Sequence, residues 1–266
     1  MLEVSLDLKA EADDLRALLG SLSEADWERR TPFNGWSVTD VVSHLHYFDR
    51  VSLLSLQSPE GFDDEARWIG GMMRMNGAER AAATFERLGS PKPAELLETW
   101  HSECHRMCDL LGESDPARRL RWFGPDMGLQ MFTTARYMET WAHGHDVYDL
   151  LGRSRVYTDA IKNIAVIGVK TFGWTFVNRK REVPGPPPHV RLRAPSGETW
   201  EWNDPDPESR VSGDAAEFCH VVTQGRNFKD TALEVVGPVA AEWMAIAQCF
   251  AGGPVDPPAA GARTGS

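Results

Sequence analysis

Residues 181–190 read REVPGPPPHV. No helix can run through this stretch, because each proline lacks the amide proton and clashes with the turn before it. It divides the chain by period. Upstream, apolar residues recur every three or four positions, the mark of helices; downstream, they alternate, the mark of strands. The division predicts a helical bundle over residues 1–180, a small α/β domain over 188–252 and a disordered tail over 253–266.

Upstream, helical spacing covers about 3–21, 38–57, 77–88, 93–112, 131–152 and 158–177. Ser37 is placed to cap the second of these, with Asp40 three residues on as a variant capping box. RWFGPDMG, 121–128, breaks the pattern. Downstream, HVRLRAP and ETWEWND flank Ser196-Gly197 as a hairpin would. Ser212 is expected to cap a helix reaching about 224, TALEVVG reads as a strand, and 239–251 as a last helix.

Composition narrows the partners. Across 266 residues, 39 acidic side chains face 28 basic ones, a charge of −11. That balance repels phosphate backbones and argues against nucleic acid. No apolar run nears the roughly 20 residues that span a bilayer, and the acidic, amphipathic start does not resemble a secretion signal. Cys104, Cys108, Cys219 and Cys249 form no CxxC pair and read as reduced thiols of a cytoplasmic protein.

One helix holds the chemistry. In METWAHGHDVYDLLG, 138–152, Phe132, Glu139, His143, Asp146 and Leu150 fall on one stripe, apolar at both ends and polar in the middle. Carboxylates and imidazoles on such a stripe must be paired or bind a metal. His145 and Tyr148 point elsewhere. Gly144, costly in a helix, suggests a close neighbouring backbone. On the helix over 38–57, His44 shares its face with Val41, Phe48 and Val51. His46 shares a mixed face with Asp49 and Arg50, so His44 reads as inward and His46 as outward. Converging, His44, Glu139 and His143 would suit Zn²⁺, or Ni²⁺ or Fe²⁺, with coordination positions left open and Asp146 supporting a ligand. A hydrogen-bonded core Glu–His pair is the alternative reading. HSECHRMC, 101–108, reads as buried cysteines with flanking histidines, since one rigid helix cannot wrap four ligands around one ion.

The pairing of GWSVTDVVSHL with METWAHGHDV resembles the DinB-like metalloprotein superfamily, in particular its mycothiol-dependent maleylpyruvate isomerase branch. Residues 219–250 are similar to that branch's C-terminal segment, with Arg226 at its arginine. A subgroup from actinobacteria, described as metal-binding or as wyosine base formation proteins, is also similar; an acidic chain without an evident RNA platform suits the second description poorly. The resemblance implies a four-helix bundle followed by a small α/β domain, and a divalent metal on His44, Glu139 and His143. It also implies mycothiol as a cofactor and a small-molecule substrate; members often form homodimers. The segment 58–90 reads as an insertion that could reshape the pocket.

The resulting expectation is a thiol-dependent isomerase or transferase acting on a small electrophilic or unsaturated acid. Arg226 would clamp a carboxylate, with an exposed surface arginine as the alternative. Trp122 and Phe123 would line the pocket or simply join the core. Two rival functions stand beside it: a metal-dependent hydrolase without a thiol, and a non-catalytic metal- or small-molecule-binding protein.

Overall fold

The structure, a computed structural model, describes residues 2–263. It contains two compact units, 1–153 and 154–266.

In the first unit, four long helices form the bundle: α1 (Glu3–Leu19), α3 (Val38–Gln57), α6 (Pro93–Glu113) and α7 (Leu129–Leu151). The shorter α2 (Glu24–Trp27), α4 (Pro59–Gly71) and α5 (Gly77–Arg87) fill the connections. Around the bundle the neighbours are α1 with α6, α6 with α3, α3 with α7, and α7 with α1. Leu8, Leu15, Leu45, Leu96, Trp100, Phe132 and Trp141 fill its centre; each such side chain contributes about 1.5–3 kcal/mol by leaving water.

The caps follow the sequence. Ser37 accepts from the amide of Asp40, and the Asp40 carboxylate accepts from the Ser37 amide at 2.8 Å, closing the capping box of α3. Gly152 ends α7 in the left-handed region, at φ 61°. The break at 121–128 is a hairpin rather than a coil: β1 (Arg119–Trp122) pairs antiparallel with β2 (Gly124–Gly128). A register shift between Leu120 and Trp122 interrupts the ladder. Alternation in so short a pair is too brief to be read as strand.

The outward reading of His46 is corrected. His46 is buried, its Nδ1 3.6 Å from Glu103 of α6, and burial pushes its pKa down to about 4. Asp49, on the same supposedly solvated face, is completely buried. Its Oδ1 accepts from Nε and Nη2 of Arg136 on α7, at 3.1 and 2.9 Å, and its Oδ2 from Trp100 Nε1 at 3.1 Å. A buried charge is tolerable only when paired, and the partners come from α6 and α7. Gly144 does not mark a tight crossing. A Cβ there would meet Glu11 and Leu15 of α1 at 3.7 Å, ordinary contact.

The second unit begins earlier than the proline-rich segment. α8 (Lys162–Lys170) and α9 (Phe172–Asn178) belong to it, with β3 (His189–Arg193), β4 (Thr199–Trp202), β5 (Arg210–Asp214), α10 (Ala215–Val222), β6 (Glu234–Val236) and α11 (Pro238–Ile246). The reason is packing: at Gly168 of α8, an added Cβ would come within 2.8–3.1 Å of Val222 and Phe218 of α10. The sheet order is β4-β3-β5-β6, parallel between β3 and β5 and antiparallel elsewhere. Val190, Leu192, Trp200 and Val211 are buried in it. The hairpin expected around Ser196-Gly197 is present. Ser212 lies in β5, and the cap of α10 is Asp214, whose side chain accepts from the Ala216 amide.

The described part of the tail makes hydrogen bonds to the rest of the second unit. Val255 accepts from Gln224 and Pro258 from Asn227, each at 2.8 Å, and the Gly261 amide donates to Asp230. Residues 264–266 of the tail lie outside the described residues. No helix among those described is long and apolar enough to cross a membrane.

Candidate metal centre

Two adjacent helices of the bundle bring the three expected side chains together. Glu139 sits between the histidines: its Oε2 lies 3.3 Å from His44 Nε2 and 3.5 Å from His143 Nε2. The imidazole rings of His44 and His143 are 4.6 Å apart, centre to centre. All three ligand atoms lie within 4.8 Å of one another. His44 arrives from α3 and the other two, one turn apart, from α7.

These spacings can be set against two arrangements. A good N–H···O bond to a carboxylate closes to about 2.7–2.9 Å. A tetrahedral ion with bonds of about 2.0–2.1 Å sets its ligands about 3.3–3.4 Å apart. The observed 3.3 and 3.5 Å are close to the second spacing, and the 3.3 Å contact is also a long hydrogen bond between His44 and Glu139. Two imidazoles and one carboxylate are the donor set of a borderline transition ion such as Zn²⁺. Three protein ligands leave at least one position for another group.

The electrostatics are uneven across the site. Burial pushes His44 down to about 4, against the raising effect of Glu139. Burial works the same way on His143, but Asp146 and Glu139 outweigh it and hold His143 up at about 9. Glu139 would be raised by burial, yet the two histidines keep it well below the usual carboxylate range. Near neutral pH, then, His44 is already a free base while His143 carries a proton. Asp146 lies with its Oδ2 3.1 Å from His143 Nδ1, which leaves Nε2 turned toward Glu139. That is the support a histidine ligand needs to present one nitrogen.

The walls are aromatic. Phe48 lies 4.7 Å and Trp36 5.3 Å from the His44 ring. Trp36 stacks on His143 at 5.7 Å and 15°, and Phe33 meets its edge at 5.0 Å. The side chains of His44 and Glu139 remain 21% and 24% exposed, so the cluster is open on one side. Trp122 and Phe123 reach Phe48, one ring removed from His44, at 6.2 and 6.0 Å; Phe123 is exposed. The segment 58–90 contributes Phe62, Trp68 and Ile69 to the apolar cluster around Tyr47 and Phe48.

Phe33 is not singled out by the sequence, and Trp36 enters there only as part of a motif and not as a wall of the site, although a signal for the turn is present. Asn34 and Gly35 take positive φ of 50° and 66°, and the Trp36 amide donates to the Phe33 carbonyl at 2.9 Å. Asn-Gly is the strongest short signal for this kind of turn. It folds both rings back over His143. Arg226 belongs to the second unit and is buried rather than surface-exposed; its Nη1 donates to the Gly225 carbonyl at 2.8 Å.

Fold and site together define a DinB-like helical bundle carrying a His–Glu–His cluster on two neighbouring helices, followed by an α/β part. The chain belongs to the mycothiol maleylpyruvate isomerase N-terminal domain family, whose sequence model matches residues 8–148. Uncharacterized proteins from two strains of Mycobacterium tuberculosis are 40% identical to it over 248 residues, 93% of this chain and 95% of theirs. Among solved structures, the mycothiol-dependent maleylpyruvate isomerase is similar in fold. The TM-score is 0.51 at 15% identity, over 83% of this chain and 88% of that one. A histidine-to-alanine mutant of that enzyme gives 0.52 over the same shares.

Proposed function

We propose that His44, Glu139 and His143 hold a divalent transition ion, Zn²⁺ in the first instance, with Ni²⁺ or Fe²⁺ as alternatives. The protein would be a mycothiol-dependent isomerase or thiol transferase acting on a small unsaturated or electrophilic acid. The observation that carries the metal is the pair of ligand spacings, 3.3 and 3.5 Å, around one carboxylate oxygen. Family membership and the likeness in fold to a mycothiol-dependent isomerase support the thiol and the substrate class.

When bound, such an ion supplies Lewis-acid chemistry, lowering the pKa of a thiol or water so that a nucleophile exists at neutral pH. The protein's own groups do the rest. Asp146 fixes the His143 ring so that Nε2 faces the cluster. Phe33, Trp36 and Phe48 pack against the two imidazoles and exclude water from their flanks. The open side of His44 and Glu139 admits the thiol and the acid. To Arg226 we assign the binding of a carboxylate by its guanidinium fork, a geometry that lysine cannot reproduce.

Two measurements test this reading. Protein purified without chelator should contain one equivalent of a transition metal at this cluster, lost in His44→Ala. Mycothiol, but not glutathione, should raise the melting temperature of the metal-loaded protein. Absence of metal sinks the centre. A metal-loaded protein indifferent to mycothiol, yet hydrolysing model esters without any thiol, sinks the thiol reading and leaves a hydrolase.

A further inference from the structure

The seam between α1 and α6 carries another histidine–carboxylate cluster, on a different pair of helices. Asp13 Oδ1 lies 2.6 Å from His101 Nε2 and 2.8 Å from His105 Nε2. Along the same seam Lys9 pairs with Asp109, and Arg16 with Glu98 at 2.7 Å. On α1 the three charged residues are spaced by four and three, one helical stripe, so the Asp13 cluster lies between two ion pairs.

We propose that Asp13, His101 and His105 form a second divalent transition-metal site, one that clips α1 to α6. His101 and His105 are one turn apart, with ring centres 4.2 Å from each other, and both turn Nε2 toward the same oxygen. The three ligand atoms lie within 4.8 Å of one another. At 2.6 and 2.8 Å these contacts are the hydrogen bonds of an ion-free cluster; an ion with bonds of about 2.0–2.1 Å needs its ligands about 3.3 Å apart, so the contacts must open by roughly 0.5–0.7 Å. The Asp13 side chain is 55% exposed and has the freedom to swing that far. The histidines are less free, 20% and 31% exposed, and stand on a long helix. Two nitrogens and one oxygen favour Zn²⁺, Ni²⁺ or Cu²⁺ over Mg²⁺ and Ca²⁺, which take oxygen ligands. Sulfur plays no part, because Cys104 and Cys108 are buried on the core side of α6. Water would fill the remaining positions.

The clip is separable from the bundle centre by counting ions. Metal-stripped full-length protein, titrated with Zn²⁺, should take up two equivalents, and Ca²⁺ should not compete. The variant with His101→Ala and His105→Ala should take up one. Glu139→Gln, which disables the bundle centre, should also take up one, and that remaining ion should vanish when the two seam substitutions are added. Asp13→Asn keeps the size of the side chain but loses the anionic ligand; it should weaken the second equivalent at least tenfold. Circular dichroism should report unchanged helix content in every variant. If the His101→Ala, His105→Ala protein binds Zn²⁺ with the stoichiometry and affinity of the parent, the seam site is refuted. If instead the parent binds a single ion that survives Glu139→Gln and is lost with the two histidines, the seam site stands and the bundle centre fails.

Discussion

Loading the bundle centre should expel one proton, and its source is His143. In the metal-free site His143 is held at about 9 and His44 at about 4, so between these limits only His143 must lose a proton before it can donate a lone pair. Each pH unit below about 9 therefore weakens binding tenfold, which at pH 7 amounts to about 3 kcal/mol. Between pH 6 and 8 the dissociation constant should fall about 100-fold, then level off above pH 9. Competition with a chromophoric chelator measures the slope. Calorimetry in buffers of different ionisation heat counts the proton. Replacing Asp146 by Asn removes the anion that helps hold His143 protonated; burial then weighs against Glu139 alone, the pKa falls, and the slope should flatten at a lower pH than in the parent. A dissociation constant independent of pH from 6 to 8, or an unchanged slope in Asp146→Asn, would falsify this account.

The same raised pKa bears on folding. Its stabilisation of the metal-free protein is fully present below His143's unfolded value near 6.5 and is lost as pH rises through about 9, on the order of 3 kcal/mol in all. The melting temperature of the stripped protein should thus drop between pH 7 and 10, and bound Zn²⁺ should abolish the drop. Asp49→Ala strands the Arg136 guanidinium in the core and should cost about 3–5 kcal/mol in denaturant unfolding; a loss under 1 kcal/mol would show that water reaches the pair. Gly168→Ala should destabilise by roughly 1–3 kcal/mol through crowding against Val222 and Phe218. Gly144→Ala should be neutral or stabilising by up to about 1 kcal/mol, because its contacts are ordinary; the reverse order of these two would contradict the packing. Gly35→Ala, at φ 66°, should cost about 1 kcal/mol or more and weaken metal binding by displacing Trp36 and Phe33 from His143. Stability and metal affinity can be followed on the same sample.

Local rules were enough for the four long bundle helices, though not for the short α2 and α4, the break between α8 and α9, or the cap of α10. Ser37, Asp40 and Gly152 act within a turn of where they stand, and the period of 3.6 placed His44, Glu139 and His143 on inward faces. The fact that they meet was legible only through the resemblance, because periodicity gives the face of a helix and not its neighbour. His46 and Asp49 show the limit. A stretch holding His46, Asp49 and Arg50 reads as solvated, yet α3 is flanked on both sides, and Arg136 and Trp100 satisfy a carboxylate that the local sequence leaves unpaired.

The chain by itself determined the break at the proline-rich segment, how the main bundle helices begin and end, and the inward faces of His44, Glu139 and His143. It did so because hydrogen-bond period, capping and proline sterics operate over three or four residues. The tertiary structure decided the boundary at 153/154, the burial of His46, Asp49 and Arg226, and the meeting of Asp13 with His101 and His105 across 88 and 92 positions of sequence. Those outcomes depend on which helix packs against which, and that is settled by the fit of whole surfaces rather than by any short stretch of residues.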